Sequence, residues 1–107
     1  MSITNTDIIG RNFFLGFIRS HILYHASRKP VFGLDMIREL ARHGYSLSPG
    51  TLYPILHGLE RDGFLQSEKQ VVGGKVRKYC LATEAGKTAL TEALVKVREL
   101  MNEVDDQ

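Results

Sequence analysis

Two adjacent glycines, Gly73 and Gly74, are the feature that most restricts how this chain can fold. They lie between two strand-like stretches, FLQSEKQVV and KVRKYCLA, and a two-residue glycine turn between such arms indicates a β-hairpin. The segments around this hairpin have helical patterns instead. Apolar spacing predicts helices over residues 6–28 and 31–44, a third over residues 48–61, and a fourth that begins after a capping threonine, Thr83.

The order of these elements is helix, helix, helix, hairpin, helix. Only about four residues, Gly44 to Leu47, separate the second helix from the third, as in a helix-turn-helix. We therefore expect an α+β, mostly α fold. The expected fold is a winged helix-turn-helix at residues 31–83 with an added N-terminal helix and a C-terminal dimerisation helix at residues 83–104, although other short α+β domains share this order. In the second helix, the residues expected to face the core are Leu34, Ile37, Leu40 and Ala41.

Length and composition are those of an ordinary globular domain. Hydrophobic residues make up 43% and charged residues 24% of the chain, and at 107 residues we expect one domain over residues 1–107. The longest apolar run, residues 13–18, is far shorter than the ~20 residues that span a bilayer, and the start of the chain lacks the basic region of a signal peptide. We expect no membrane partner and a cytoplasmic location. The single cysteine, Cys80, suits that location, and we expect a small buried hydrophobe rather than a redox sensor.

The first and last helices predict a homodimer. On the first helix, counted at about 100° per residue, Ile18 and Ile22 lie on one apolar side, and Phe13 and Phe17 lie on another. A helix that is apolar on two sides must be buried on two sides, which a monomer of this size rarely achieves. The last helix has an apolar stripe of its own. The residues predicted to form the dimer interface or a ligand pocket are Phe13, Phe14, Phe17, Leu94, Val97 and Met101.

The third helix has an apolar stripe of leucine and isoleucine, yet Pro54 lies within it. If Thr51 caps the helix, Pro54 falls in the first turn and removes no helical hydrogen bond. If the helix begins at Ser48 instead, we expect Pro54 to distort its first turn and a half. In both cases Tyr53 and His57, at i and i+4, lie side by side on the face away from the stripe. Such a face, with hydroxyls and an imidazole, suits a DNA major groove, although a solvated surface would have the same pattern.

The charges of the hairpin favour DNA. With the two glycines as the turn, Lys69 falls opposite Lys78, and like charges across a ladder destabilise it unless a polyanion neutralises them. Residues 68–79 carry a net charge of +3, a basic patch typical of nucleic-acid binding. The predicted DNA-binding residues are Ser48, Thr51, Tyr53, His57, Lys69, Lys75, Arg77 and Lys78.

Other classes of function are less well supported. His21 and His25 have the i, i+4 spacing of metal ligands, but no third ligand accompanies them locally, so we expect no metal or other cofactor. The chain has no nucleophile motif, glycine-rich phosphate loop or carboxylate pair, which argues against an enzyme. A winged-helix module that binds protein and not DNA is the alternative, but such a module would not need a basic hairpin.

The stretches SPGTLYPILHGLERDGFL and GGKVRKYCLATEAG, together with VFGLDMIREL, closely resemble the PadR-like transcriptional regulators of bacteria. The resemblance covers roughly residues 11–90. It implies a winged helix-turn-helix that dimerises through its first and last helices and usually represses transcription. Carried over by position, the third helix would meet the groove of double-stranded DNA through Ser48, Thr51, Tyr53 and His57, and the hairpin would meet the flanking backbone through Lys75, Arg77 and Lys78.

The chain is similar to the short form of this family, which ends in one helix. Some short members bind flat aromatic molecules between the helices of the dimer through tryptophan, whereas this chain has none. In their place Phe13, Phe17 and Met101 would supply apolar walls. The expected function is a dimeric repressor on a near-palindromic operator, released by a small aromatic effector.

Overall fold

The computed structural model describes residues 5–106, and side chains from residue 9 onward. It contains four helices and three strands within that range. In chain order they are α1 (Asn5–Arg28), β1 (Val31–Phe32), α2 (Gly33–Arg42), α3 (Pro49–Arg61), β2 (Leu65–Val72), β3 (Lys75–Ala82) and α4 (Glu84–Asp105). This confirms the predicted mostly helical α+β fold, a winged helix-turn-helix with an added helix at each end.

The helix ends follow from capping groups in the sequence. The Thr83 hydroxyl oxygen accepts a hydrogen bond from the Gly86 N–H at 3.0 Å and caps α4. After the C-terminal end of α2, Gly44 has a φ of +88°, a conformation that glycine adopts without strain. The chain therefore leaves α2 sharply and enters the short turn that leads to α3.

Pro54 lies inside α3 and not in its first turn. Ser48 is the N-cap, because its hydroxyl oxygen accepts a hydrogen bond from the Thr51 N–H at 3.3 Å, and Pro49 is the first helical residue. The alternative in which Thr51 caps the helix is therefore wrong. Pro54 is the sixth helical residue and has no N–H to offer to the carbonyl of Gly50. The helix nevertheless continues beyond it without a break.

The hairpin has the predicted register. Strands β2 and β3 pair antiparallel with Lys69 opposite Lys78, and the turn consists of Gly73 and Gly74 with φ values of +59° and +77°. Positive φ at both positions is the requirement of a type I′ turn, which glycine meets at no steric cost. The strand β1, which was not predicted, pairs with the other edge of β3 and completes a sheet of order β1-β3-β2.

The second helix begins later and faces the core differently than predicted. Pairing of Val31 with Cys80 holds that residue in β1, so α2 starts at Gly33 rather than at residue 31. The buried positions of α2 are Gly33, Met36 and Leu40. Leu34, which was expected to face inward, is 45% exposed, and Ala41 is also exposed. The strand β1 sets the rotation of α2, which follows it directly. Because β1 has only two residues, it leaves no periodic signal in the sequence from which that rotation could be predicted.

The core forms where α1 crosses the helix-turn-helix. Its fully buried side chains are Ile18, Ile22, Met36, Leu40 and Leu52. The second apolar strip of α1 stays outside this core, and Phe13 is 61% exposed. The side chains of α4 beyond Leu90 are also exposed. The radius of gyration is 15.7 Å, against about 13 Å for a compact chain of this length, because α4 extends away from the core.

Candidate nucleic-acid interface

The polar face of α3 is open along its length. Ser48, Thr51 and His57 are exposed, and Tyr53 is half-buried. The rings of Tyr53 and His57 lie 6.3 Å apart between centroids, as the i, i+4 spacing predicts. The opposite face buries Leu52 and its neighbours in the core. The exposed polar side chains therefore lie on a helix whose opposite face is packed in the core.

Tyr53 does not point entirely away from the protein. Its ring packs against the start of α2, where a Cβ placed on Gly33 would lie 2.7 Å from the Tyr53 hydroxyl oxygen. The sequence pattern placed Tyr53 on the face away from the apolar stripe, and the structure adds a contact with α2 that the pattern did not predict. Because glycine has no side chain, Gly33 leaves the space that the ring occupies. The contact holds the aromatic ring of Tyr53 against the start of α2.

The first turn of α3 presents hydroxyls and backbone N–H groups together. Ser48 donates from its hydroxyl to the Thr51 hydroxyl oxygen at 3.2 Å, in addition to accepting from the Thr51 N–H. The Thr51 hydroxyl hydrogen is not used in this pair and can be donated outward. A helix N-terminus carries partial positive charge and favours an anion such as phosphate. Ser48 thus mainly shapes the turn, and Thr51 offers the donor.

The basic residues of the hairpin lie on two different faces. Directly opposed residues share a face and faces alternate along a strand, so Lys69 and Lys78 lie on one side, and Lys75 and Arg77 on the other. These lysines are exposed, whereas Arg77 is half-buried. The predicted basic patch therefore wraps around the hairpin instead of covering one surface.

Glu60 joins the hairpin to α3. One carboxylate oxygen of Glu60 accepts a hydrogen bond from the Ser67 hydroxyl at 2.9 Å, and the other lies 3.7 Å from the Lys78 ammonium nitrogen. Lys78 is therefore already partly neutralised within the chain, so the repulsion between Lys69 and Lys78 does not require an external polyanion. Glu60 was absent from the predicted site residues, and its position on α3 in the LERDG stretch gave no sign of its partners on the strands.

Arg77 is held by an aromatic platform. Its guanidinium lies 4.9 Å from the centroid of the Phe32 ring, and Phe32 in turn lies 5.9 Å from Tyr79. Stacking on a ring restricts the guanidinium while its edge N–H groups stay free for an anion. Phe32 belongs to the strand that the sequence pattern did not reveal, which is why this contact was not foreseen.

The predicted interface or pocket residues divide into separate places. Phe13, Phe17, Leu94 and Val97 line a cleft of about 480 Å³ between α1 and α4. The rings of Phe13 and Phe17 are 4.7 Å apart there. Phe14 instead contacts Tyr45 at the turn before α3, with ring centroids 5.2 Å apart. Met101 is exposed on α4 and does not line the cleft.

Cys80 is a buried residue of β3, with 9% of its surface exposed. Burial raises the pKa of its thiol, Glu60 raises it further, and Lys78 opposes them. Because the thiolate is the reactive form of cysteine, these surroundings disfavour redox chemistry. This supports the interpretation of Cys80 as a small hydrophobic residue of the core.

Comparisons with known proteins agree with this architecture. Residues 22–92 match the description "Transcriptional regulator PadR-like family". Transcriptional regulator Rv3488 of Mycobacterium tuberculosis is 51% identical over 94 residues, which cover 88% of each chain.

Two crystal structures also resemble the chain. A PadR-like transcription factor from Bacteroides fragilis superposes with a TM-score of 0.80 at 28% identity, over 94% of this chain and 98% of that one. A PadR-like regulator from Bacillus cereus superposes with a TM-score of 0.76 at 26% identity, over 85% of this chain and 90% of that one. These relatives are transcriptional regulators and not enzymes, as the sequence predicted. The chain belongs to the PadR-like family of transcriptional regulators.

Proposed function

We propose that this chain is a dimeric, sequence-specific DNA-binding regulator that represses transcription and is released by a small aromatic effector. The observation that carries the proposal is the exposed polar face of α3 beside a basic hairpin, with Glu60 of α3 bonded to Ser67 and paired with Lys78 on the hairpin. A major groove about 12 Å wide accepts one α-helix, and the hairpin beside it would follow the sugar-phosphate backbone.

Different residues would have different tasks in this arrangement. Thr51 and His57 are exposed and offer hydrogen bonds to base edges, with Tyr53 between them on the same face. Lys69 and Lys75 are exposed on the hairpin and would contact phosphates, which give affinity without sequence information. The positive N-terminus of α3 would add a further phosphate contact.

The apolar surface supports a dimer. Large hydrophobic side chains remain exposed on both α1 and α4, including Leu94 at 39% and Val97 at 44%. Contiguous apolar surface of this kind marks an interaction site in monomeric proteins. A second copy related by a two-fold axis would cover it and present two α3 helices. The two helices would then enter half-sites one helical turn apart, about 34–36 Å. Because a two-fold axis relates the two helices, the operator would be a near-palindrome.

The cleft between α1 and α4 supports an effector. Its volume of about 480 Å³ lies within the usual range for small-molecule sites, about 300–1,000 Å³. The Phe13 and Phe17 rings at its wall would stack on a planar aromatic compound. Because α1 and α4 are also the helices proposed for dimerisation, a compound bound between them would change the spacing of the two α3 helices.

The DNA-binding proposal is tested by fluorescence anisotropy on a duplex selected by the protein and on its scrambled version, across a salt series. Lys75→Ala should weaken binding to both duplexes and lower the salt slope by about one unit. His57→Ala should weaken the free energy of binding to the selected duplex by about 1–3 kcal/mol and leave binding to the scrambled duplex unchanged. Lys87→Ala removes the same charge from the first turn of α4 and should leave both affinities unchanged. Identical profiles for the Lys75 and His57 variants would contradict the docking.

The dimer and the effector are tested separately. Light scattering should give a dimer at micromolar concentration for the wild type and a monomer, or unfolded protein, for Leu94→Glu combined with Val97→Glu. A wild type that stays monomeric would refute the dimer. Thermal-shift screening should find planar aromatic compounds that raise the melting temperature, and Phe17→Ala should remove that rise. If none raises it, the effector part of the proposal is abandoned.

A further inference from the structure

Three of the four histidines of the chain meet at one place. His21 and His25 lie one turn apart on α1, and His43 is the C-cap residue directly after α2. The ring of His43 is 4.5 Å from that of His21 and 5.8 Å from that of His25, between centroids. A potential ligand nitrogen from each histidine lies within 4.8 Å of the other two. The sequence spacing revealed the first two, whereas the third comes from the packing of α2 on α1.

One of these rings has a polar atom without a partner. The Nε2 atom of His25 is shielded from solvent, and no hydrogen bond to it is formed by the part of the chain that the structure describes. Leaving such a group unpaired costs about 1–3 kcal/mol, so an orphaned buried nitrogen calls for a physical reason. A ligand that accepts the nitrogen lone pair would supply one.

Burial favours the neutral form of two of these imidazoles, those of His21 and His25. Burial lowers the pKa of His21, and the nearby His43 and His25 lower it further. Burial also lowers the pKa of His25, where Glu39 opposes the shift and His43 and Lys29 add to it. Neutral imidazole is the form that binds metal ions, because its lone pair is free.

We propose that His21, His25 and His43 bind one divalent transition-metal ion of the kind that prefers imidazole nitrogen, such as Zn²⁺. With Zn–N bonds of about 2.0–2.1 Å, tetrahedral geometry places ligand nitrogens about 3.3 Å apart. The present separations of up to 4.8 Å require each ring to move inward by a small rotation. His43 is exposed and the other two are half-buried, so the rings have room to do so. The fourth position would be taken by water.

The site would connect two parts of the protein that have separate tasks. His43 directly precedes Gly44, which begins the turn into α3, while His21 and His43 also border the cleft between α1 and α4. A bound ion would fix the end of α2 to α1. Resting on the proposed function, this predicts that the ion changes DNA affinity, since it restrains the turn before the recognition helix.

Binding is measured on tag-free protein stripped with a chelator and desalted, by titration of Zn²⁺ in competition with a chromophoric chelator. The wild type should bind one ion per chain. His43→Ala and His25→Ala should each weaken Zn²⁺ binding by about 10-fold or more. Losing a residue that only hydrogen-bonds a metal ligand already costs about 10-fold in affinity, and losing the ligand itself should cost more. His57→Ala, the one histidine outside the cluster, is the matched control and should bind as the wild type does.

A packing role is distinguished from ligation by a rescue variant. His43→Cys supplies a thiolate and should bind Zn²⁺ far better than His43→Ala, although both remove the ring. Because His43 is exposed, circular dichroism should show both variants folded. The site is refuted if the wild type does not compete for Zn²⁺, if His43→Ala binds as well as the wild type, or if His57→Ala loses as much. These readouts use no DNA, so they stand or fall independently of the proposed function.

The link to DNA is tested by anisotropy with and without Zn²⁺. A change in Kd for the wild type that is absent in His43→Ala supports the link. An equal Kd in both conditions overturns the link and leaves the metal titration to decide the site.

Discussion

Replacing Glu60 with glutamine separates the two effects of this residue on the hairpin. The glutamine oxygen can still accept from the Ser67 hydroxyl, which lies 2.9 Å away, whereas the ion pair with Lys78 at 3.7 Å is lost. The partners of that pair are 37% and 53% exposed, so the loss should cost less than about 1 kcal/mol of unfolding free energy. The change therefore leaves the fold in place and releases one lysine.

The released Lys78 should raise DNA affinity. If it becomes one additional phosphate contact, the slope of log K against log salt steepens by about 0.9. Over a fourfold rise in salt, from about 50 to about 200 mM, this amounts to a further loss of about 3.5-fold relative to the wild type. Removing one negative charge near the hairpin should also strengthen binding to scrambled DNA at low salt.

The assay is fluorescence anisotropy on both duplexes from about 50 to 200 mM salt, with chemical denaturation to measure stability. Glu68→Gln is the matched control, because it removes the same charge from the face of β2 that points away from Glu60. A double variant, Glu60→Gln with Lys78→Ala, should return the slope to that of Lys78→Ala alone. The reasoning is refuted if Glu60→Gln leaves the slope unchanged, or if Glu68→Gln steepens it equally.

Three further predictions concern stability and reactivity. Gly86→Ala should destabilise the fold by about 1–3 kcal/mol in denaturant melts, because its Cβ would collide with the Phe64 carbonyl, whereas exposed Ala85→Ser should be neutral. Pro54→Ala should stabilise the fold in the same melts, since it restores a helical N–H, and an unchanged or lower midpoint would contradict this. The Cys80 thiol should react with an alkylating reagent more slowly in folded than in urea-unfolded protein. Equal rates in the two states would show that the thiol is accessible in the folded protein. Because burial raises the pKa of this thiol, its contribution to the free energy of unfolding is complete below the ordinary value of 9.0 and is lost as the pH rises beyond it.

The parts of the fold that were predictable from sequence rest on local rules. The hairpin register, with Lys69 opposite Lys78, follows once a two-residue turn is assigned to Gly73 and Gly74. The cap at Thr83 likewise depends only on residues within one turn of it. Local geometry fixes these features, so tertiary packing does not alter them.

The features that were missed depend on contacts between distant segments. Gly33 determines where Tyr53 lies, although twenty positions separate them, because only the folded chain brings a missing Cβ beside that ring. The ion pair between Glu60 and Lys78 is similarly invisible, since charge counting treats the lysine as available. The predicted DNA-binding residues consequently lie on the expected elements, but their side chains have partners that the pattern did not disclose.

The helix α1 explains why core, cleft and histidine cluster occur together. Ile18 and Ile22 face the core, Phe17 lines the cleft with α4, and His21 and His25 meet the end of α2. A helix held in a close-packed core moves as a unit, because its side chains cannot shift independently without opening gaps. Displacement of Phe17 by a compound in the cleft would therefore also displace His21, one turn along, against His43. An effector of the proposed kind, acting through α1, would then alter the turn into α3 as well as the proposed dimer contact.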